Sequence, residues 1–177
     1  MKWEAQSPPD LLLTADHAEL DGLLADAFEA LKSGNGEQAF ASVDLFWARL
    51  AMHIRAEHLH LFPAIEALPF AAADKAKTDT MLNELRSDHN FFMRELVAAI
   101  KLLRDETGGT AALTATAEGL RQVKDRLALH NEIEETRVYP LVYLRLPPDE
   151  AAALHSKMEF EITNMPPRFA DSTETGL

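Results

Sequence analysis

The sequence predicts an all-α protein: an up-down-up-down four-helix bundle with a short additional C-terminal helix. Three observations predict it. Four segments of roughly 25 to 36 residues repeat apolar residues at steps of three and four, the spacing of a helix with one buried stripe. Turn-forming residues separate the segments, at Ser33 to Gly36, at Pro69 to Ala71, at Thr107 to Gly109 and at Pro147 and Pro148. The composition is 47% hydrophobic, with 7 Gly and 9 Pro in 177 residues, which favours long helices with few breaks.

The first segment carries its stripe on Leu13, His17, Leu20, Leu24, Ala27 and Leu31, and the second on Phe40, Val43, Trp47, Leu50, Ile54, Glu57 and Leu61. In the third the stripe is Leu82, Leu85, His89, Phe92, Leu96, Ala99 and Leu103. The fourth has Leu120, Val123, Leu127, His130, Glu134, Val138 and Leu141. Short connections make consecutive helices antiparallel neighbours. A fifth segment starts after Pro147 and Pro148, where Asp149 and Glu150 suit the positive end of a helix. Pro63 and Pro140, late in the second and fourth segments, are expected to kink or end them. At this length one domain is expected, over residues 1–164 with its functional core at about 10–145, and residues 165–177 read as a flexible tail.

The net charge is −12 and the pI about 4.9, so a phosphate backbone or an anionic membrane would repel the chain. Nucleic acid and membrane are therefore not expected as partners; a homo-oligomer stays open. There is no Cys, which excludes disulfides, thiolate ligation and Cys nucleophiles, so any metal must be held by nitrogen and oxygen. The N-terminus shows no basic region leading into an apolar one, and no stretch reaches the ~18 apolar residues of a membrane span. A cytoplasmic protein is the expectation.

The stripes contain residues that do not belong in an apolar core. His17, His89, His130, Glu57 and Glu134 lie within them, and His53 sits beside Ile54 on the same inward arc. An unpaired buried carboxylate costs several kcal/mol, and a domain with ~5–15 kcal/mol of net stability cannot carry six such groups uncompensated. They must satisfy one another or share a cation. Counted from the turns at 1.5 Å per residue, all six fall within about two helical turns of one level. Moreover, His53 with Glu57 and His130 with Glu134 repeat one pattern, four residues apart on one helix face. Two such helices, with a single His from each of two more, would build a carboxylate-bridged dinuclear site inside the bundle. A lone core His is usually just packed and hydrogen-bonded; it is the joint pattern at matched depth that points to metal. Four imidazoles and two carboxylates suit iron or manganese, with zinc a further candidate, and not magnesium or calcium.

Other polar residues read differently. His58 and Glu135, each just after a stripe Glu, read as solvated helix faces ahead of groups backing the site, and His60 and His155 as ordinary helix residues. Phe62 and Tyr139 read as core, with the Tyr139 hydroxyl needing a partner if buried.

In the order His17, His53-x-x-x-Glu57, His89, His130-x-x-x-Glu134, over about residues 10–145, the chain resembles the hemerythrin-like (HHE cation-binding) family. The resemblance implies a non-haem di-iron centre, with His17 and His53 on one iron, His89 and His130 on the other, and Glu57 and Glu134 bridging. Oxygen-carrying members have a further His one turn after the third-helix His. Here that place is Met93, and His58 or a water is left to fill the position.

The expected function is uptake of a small ligand such as O2, NO or peroxide for sensing, storage or delivery. Two alternatives use the same site: a di-iron enzyme acting on peroxide, O2 or nitrogen oxides, and a protein that buffers or donates iron. No nucleophile triad, phosphate loop or dinucleotide fingerprint competes with these readings.

Overall fold

A computed structural model describes residues 9–105, 109–167 and 169, and every described regular element is helical. In chain order they are α1 (Pro9–Lys32), α2 (Gly36–Ala56), a π-helical turn (Glu57–Leu61), α3 (Phe62–Glu66), α4 (Ala72–Arg104), α5 (Gly109–Ile133), a second π-helical turn (Glu134–Val138), α6 (Tyr139–Arg145) and α7 (Pro148–Thr163). The expected breaks at Ser33 to Gly36, at Pro69 to Ala71 and at Pro147 and Pro148 fall at junctions between elements, while Thr107 and Gly108 of the remaining one lie outside the described residues. At the first, Gly34 takes the left-handed conformation (φ 75°) that ends α1 cheaply, and the Asn35 side chain accepts the N–H of Gln38 at 3.0 Å to cap α2.

α1 packs on α2, α2 on α4, α4 on α5, and α5 back on α1, which closes the four-helix bundle. Its interior has three layers. One apolar cluster gathers Leu20, Leu24, Phe46, Leu50, Phe92, Leu96, Val123 and Leu127. Another gathers Leu13, Leu61, Phe62, Leu82, Leu85, Val138, Tyr139 and Val142. Along every helix the six polar residues fall between these two clusters: His17 between Leu13 and Leu20, His53 and Glu57 between Leu50 and Leu61, His89 between Leu85 and Phe92, His130 and Glu134 between Leu127 and Val138.

The prolines do not end their helices. In an α-turn the Pro63 ring would meet the carbonyl of Leu59, and the Pro140 ring that of Thr136. The chain widens by one residue instead: the N–H of Phe62 reaches the carbonyl of Glu57, and that of Tyr139 the carbonyl of Glu134, five residues back. Each helix then continues as a short α segment with its proline in the first turn, where no N–H is needed.

α7 lies against α1, α2 and the first π turn, and adds Leu154, Met158 and Ile162 to the second apolar cluster. Glu161 fastens it, accepting from Arg55 Nε at 2.6 Å and facing His60 Nε2 at 3.4 Å. The flexible tail expected over 165–177 falls largely on residues outside the described set; Phe169, which is inside it, is buried. No helix among the described residues is long and apolar enough to cross a membrane.

Candidate metal centre

The structure brings all six stripe residues together. Glu57 and Glu134 are fully buried, and His17, His53, His89 and His130 nearly so. Two groups of side chains could each hold a metal ion: His17, His53 and Glu134 in one, and Glu57, His89, His130 and Glu134 in the other, their ligand atoms within 4.8 Å of one another. Nε2 of His17 lies 3.2 Å from Nε2 of His53, and Nε2 of His89 3.0 Å from Nε2 of His130. Nitrogen lone pairs that close repel unless a proton or a cation stands between them.

Each carboxylate turns one oxygen toward either imidazole pair. Oε1 of Glu57 is 3.5 Å from His53 Nε2, and its Oε2 is 3.2 Å from His89 Nε2. Oε2 of Glu134 is 3.4 Å from His17 Nε2, and its Oε1 is 3.0 Å from His130 Nε2. Glu57 Oε2 and Glu134 Oε1 are buried with no hydrogen bond, a state that buried carboxylate oxygens rarely occupy unless an ion shares them. Nitrogen and carboxylate donors in this number fit iron, manganese or zinc.

In the metal-free protein, charge settles around these atoms. Burial pushes the His53 imidazole down, but Glu57 and Asp16 overcome it and hold its pKa well above the usual value. Glu134, Glu57 and Asp88 raise His130 against burial in the same way. Burial pushes Glu57 up, and His53 and His89 bring it well below the usual carboxylate range. Glu134, raised by burial and by Glu57, is lowered overall by His130 and His17. Imidazole protons therefore take the place a cation would take.

The outer nitrogens of all four imidazoles are also engaged. Nδ1 of His53 donates to Asp16 at 2.8 Å and Nδ1 of His130 to Asp88 at 3.2 Å, while Nδ1 of His17 donates to Glu135 at 2.8 Å. Nδ1 of His89 faces Nε2 of His58 at 2.8 Å. With Nδ1 engaged outside, each ring turns its Nε2 inward, where it would offer a lone pair to a cation in place of a proton, which is how proteins orient histidines for a metal. Arg49 and Arg126, one turn before His53 and His130, clamp Asp16 and Asp88.

His58 and Glu135 thus touch the site instead of only facing solvent. His58 backs His89 from outside and does not take the place left by Met93, which packs against the first apolar cluster. Asp16, Asp88, Arg49 and Arg126 were not singled out from the sequence. A signal for them exists, because Asp-His recurs at Asp16-His17 and Asp88-His89, and Arg precedes His by four in both second helices.

Tyr139 is core, as expected, but its hydroxyl enters the polar layer. It lies 3.1 Å from Glu57 Oε1, from Glu134 Oε2 and from His17 Nε2, one proton among three acceptors. Burial and the two carboxylates push the phenol well above its usual pKa, so it stays a donor. The π turn makes this reach available: residues five apart on an α-helix point ~140° away from each other, whereas the wider turn brings them back toward one face, and Tyr139 meets Glu134 at 3.1 Å. On the opposite side Phe62 holds the equivalent position and stacks on His89, their planes 6° apart.

The profile of the hemerythrin HHE cation binding domain matches residues 9–142. The chain belongs to the hemerythrin HHE family. Searches of curated proteins and of solved structures found no match. For this hemerythrin-like chain the family description agrees with the cluster on the general point, a cation site in a helical bundle.

Proposed function

We propose that this hemerythrin-like protein holds two iron ions through His17, His53, Glu57, His89, His130 and Glu134, and binds O2 or a related small ligand such as NO or peroxide there. His17 with His53 would hold one ion and His89 with His130 the other, with Glu57 and Glu134 serving both. The observation that carries it is the split of Glu57 and Glu134, each sending one oxygen toward either imidazole pair, with two of those oxygens lacking any hydrogen bond. When bound, a ferrous pair would supply electrons and an open coordination position for a small oxidant or gas. The chain's own residues do the rest. Asp16, Asp88, Glu135 and His58 orient the rings. The two apolar clusters exclude bulk water from both ends of the site, and Tyr139 offers a phenolic hydrogen bond at its edge. A layer this closely filled and this buried favours a ligand of two or three atoms over a bulky substrate.

The test is to load the protein anaerobically with ferrous iron, measure metal per chain, and follow the visible spectrum on adding O2, then H2O2, then NO. Near two irons per chain and an oxygen-induced band that reverses on deoxygenation are expected. Sustained loss of peroxide would replace binding by catalysis, and iron that passes readily to a chelator would favour iron handling. One ion per chain at saturation would sink the dinuclear reading.

A further inference from the structure

The second helical hairpin repeats the first. Arg49, His53, Glu57 and Pro63 on one match Arg126, His130, Glu134 and Pro140 on the other at a constant offset, and Asp16-His17 matches Asp88-His89. Where a repeat is kept, the two halves do the same thing; where it is broken, they differ for a reason that can be measured. Around the centre it is broken at the residue after each Glu, which is His58 in one half and Glu135 in the other.

The structure connects that break to the opposite imidazole pair. His17 and His53 both donate their outer N–H to carboxylates, Glu135 and Asp16, each at 2.8 Å. Of the other pair only His130 does so, to Asp88, and at the longer distance of 3.2 Å. His89 has the imidazole of His58 instead. Asp16 is also better shielded, its side chain 4% exposed against 18% for Asp88. A carboxylate on the outer nitrogen makes an imidazole a stronger donor toward a cation, and adds negative charge nearby; a neutral imidazole does less of the first and none of the second. Beside the His89 pair stand the rings of Phe62 and Phe92, while the His17 pair has the uncharged phenol of Tyr139.

We propose that the two metal positions are graded: the one at His17 and His53 binds its ion more tightly, and the one at His89 and His130 fills second and exchanges first. The proposal rests on the dinuclear reading above. It assigns His58 and Glu135 as positioning residues that set the difference from outside the coordination sphere.

The test is a titration of metal-free protein with Co(II) at about pH 8, followed by calorimetry and by cobalt absorption. The wild type should take up two ions in two steps at least tenfold apart, since a change in an outer partner typically moves metal affinity 10–100-fold. His58→Glu gives His89 the outer carboxylate that His17 has in Glu135, and should tighten the weaker step while leaving the tighter one in place. Glu135→Gln should weaken the tighter step and leave the other. The two variants thus narrow the gap from opposite sides, and either one suffices if the other fails to keep the wild-type helical circular dichroism. Two ions taken up in a single wild-type step would overturn the grading alone, as would variants that move the wrong step. Fewer than two cobalt ions per chain would overturn the dinuclear reading, and the grading with it.

Discussion

Glu134→Gln is the sharpest perturbation, because Glu134 alone belongs to both candidate ligand groups. The amide keeps the volume and removes the charge. Two consequences have different sizes. In the metal-free protein, His130 Nε2 loses its carboxylate partner at 3.0 Å; the imidazole can shed its proton instead of remaining charged, so the cost is that of one close charged contact, about 1.5–3 kcal/mol. In the loaded protein the loss is larger. Two ions each held at about 100 times their Kd would stabilise the wild type by about 5 kcal/mol together, which for a chain of this length is about 10–20 °C in Tm. The variant should keep less than half of that metal-dependent rise and bind about one iron or fewer. Thermal melts of iron-loaded and chelator-stripped protein, with elemental analysis, measure both terms separately. If Glu134→Gln retains two irons and the full rise on loading, the bridging argument is wrong.

Three further outcomes are expected. Tyr139→Phe removes one buried hydrogen bond donor from the edge of the site and should change azide or NO affinity by about tenfold, the worth of ~1.4 kcal/mol, while helicity is kept; equilibrium titration of the loaded protein checks it. Phe92→Ala opens a cavity against the rings of His89 and His130 and should cost about 3–5 kcal/mol in urea denaturation, with weakened metal retention as a second sign. Glu161, whose carboxyl Arg55 and His60 hold below its usual range, stabilises the docking of α7 with a definite sign. Its folded pKa is lower than its unfolded one, so its contribution is present above about pH 4.3 and is lost as pH falls through the folded value; urea midpoints of wild type and Glu161→Gln should differ at pH 7 and converge at acid pH.

The bundle was legible because its signal is local. Stripe residues such as Leu20, Phe46, Phe92 and Val123 repeat at helical spacing, and the same periodicity placed His17, His53, Glu57, His89, His130 and Glu134 on inward faces. What was not legible depends on partners from other helices. Asp16 sits beside a stripe residue and is charged, so periodicity assigns it to solvent, yet it is buried because His53 and Arg49 on the next helix satisfy both its oxygens. Asp88, half-buried, is held in the same way by His130 and Arg126. Glu161 could be placed on a fifth helix but not against Arg55, since nothing in the sequence fixes where that helix docks.

The prolines show a different limit, and a functional consequence. Pro63 and Pro140 signal a break in α-helical hydrogen bonding, and the chain has two ways to meet that demand: stop, or widen by one residue. Widening is favoured here because both segments carry apolar residues on past the proline, Ile65 in one and Val142 in the other, which are buried only if the helix goes on. Each π turn begins at a bridging Glu. The widening therefore falls where it changes which side chains share a face with that Glu, and it brings the residue five positions on over the polar layer. In one half that residue is Phe62, which covers an imidazole; in the other it is Tyr139, which delivers a proton donor to both carboxylates. The same backbone device, repeated with different side chains, is how two halves of nearly identical layout come to enclose a site that is polar on one side and apolar on the other.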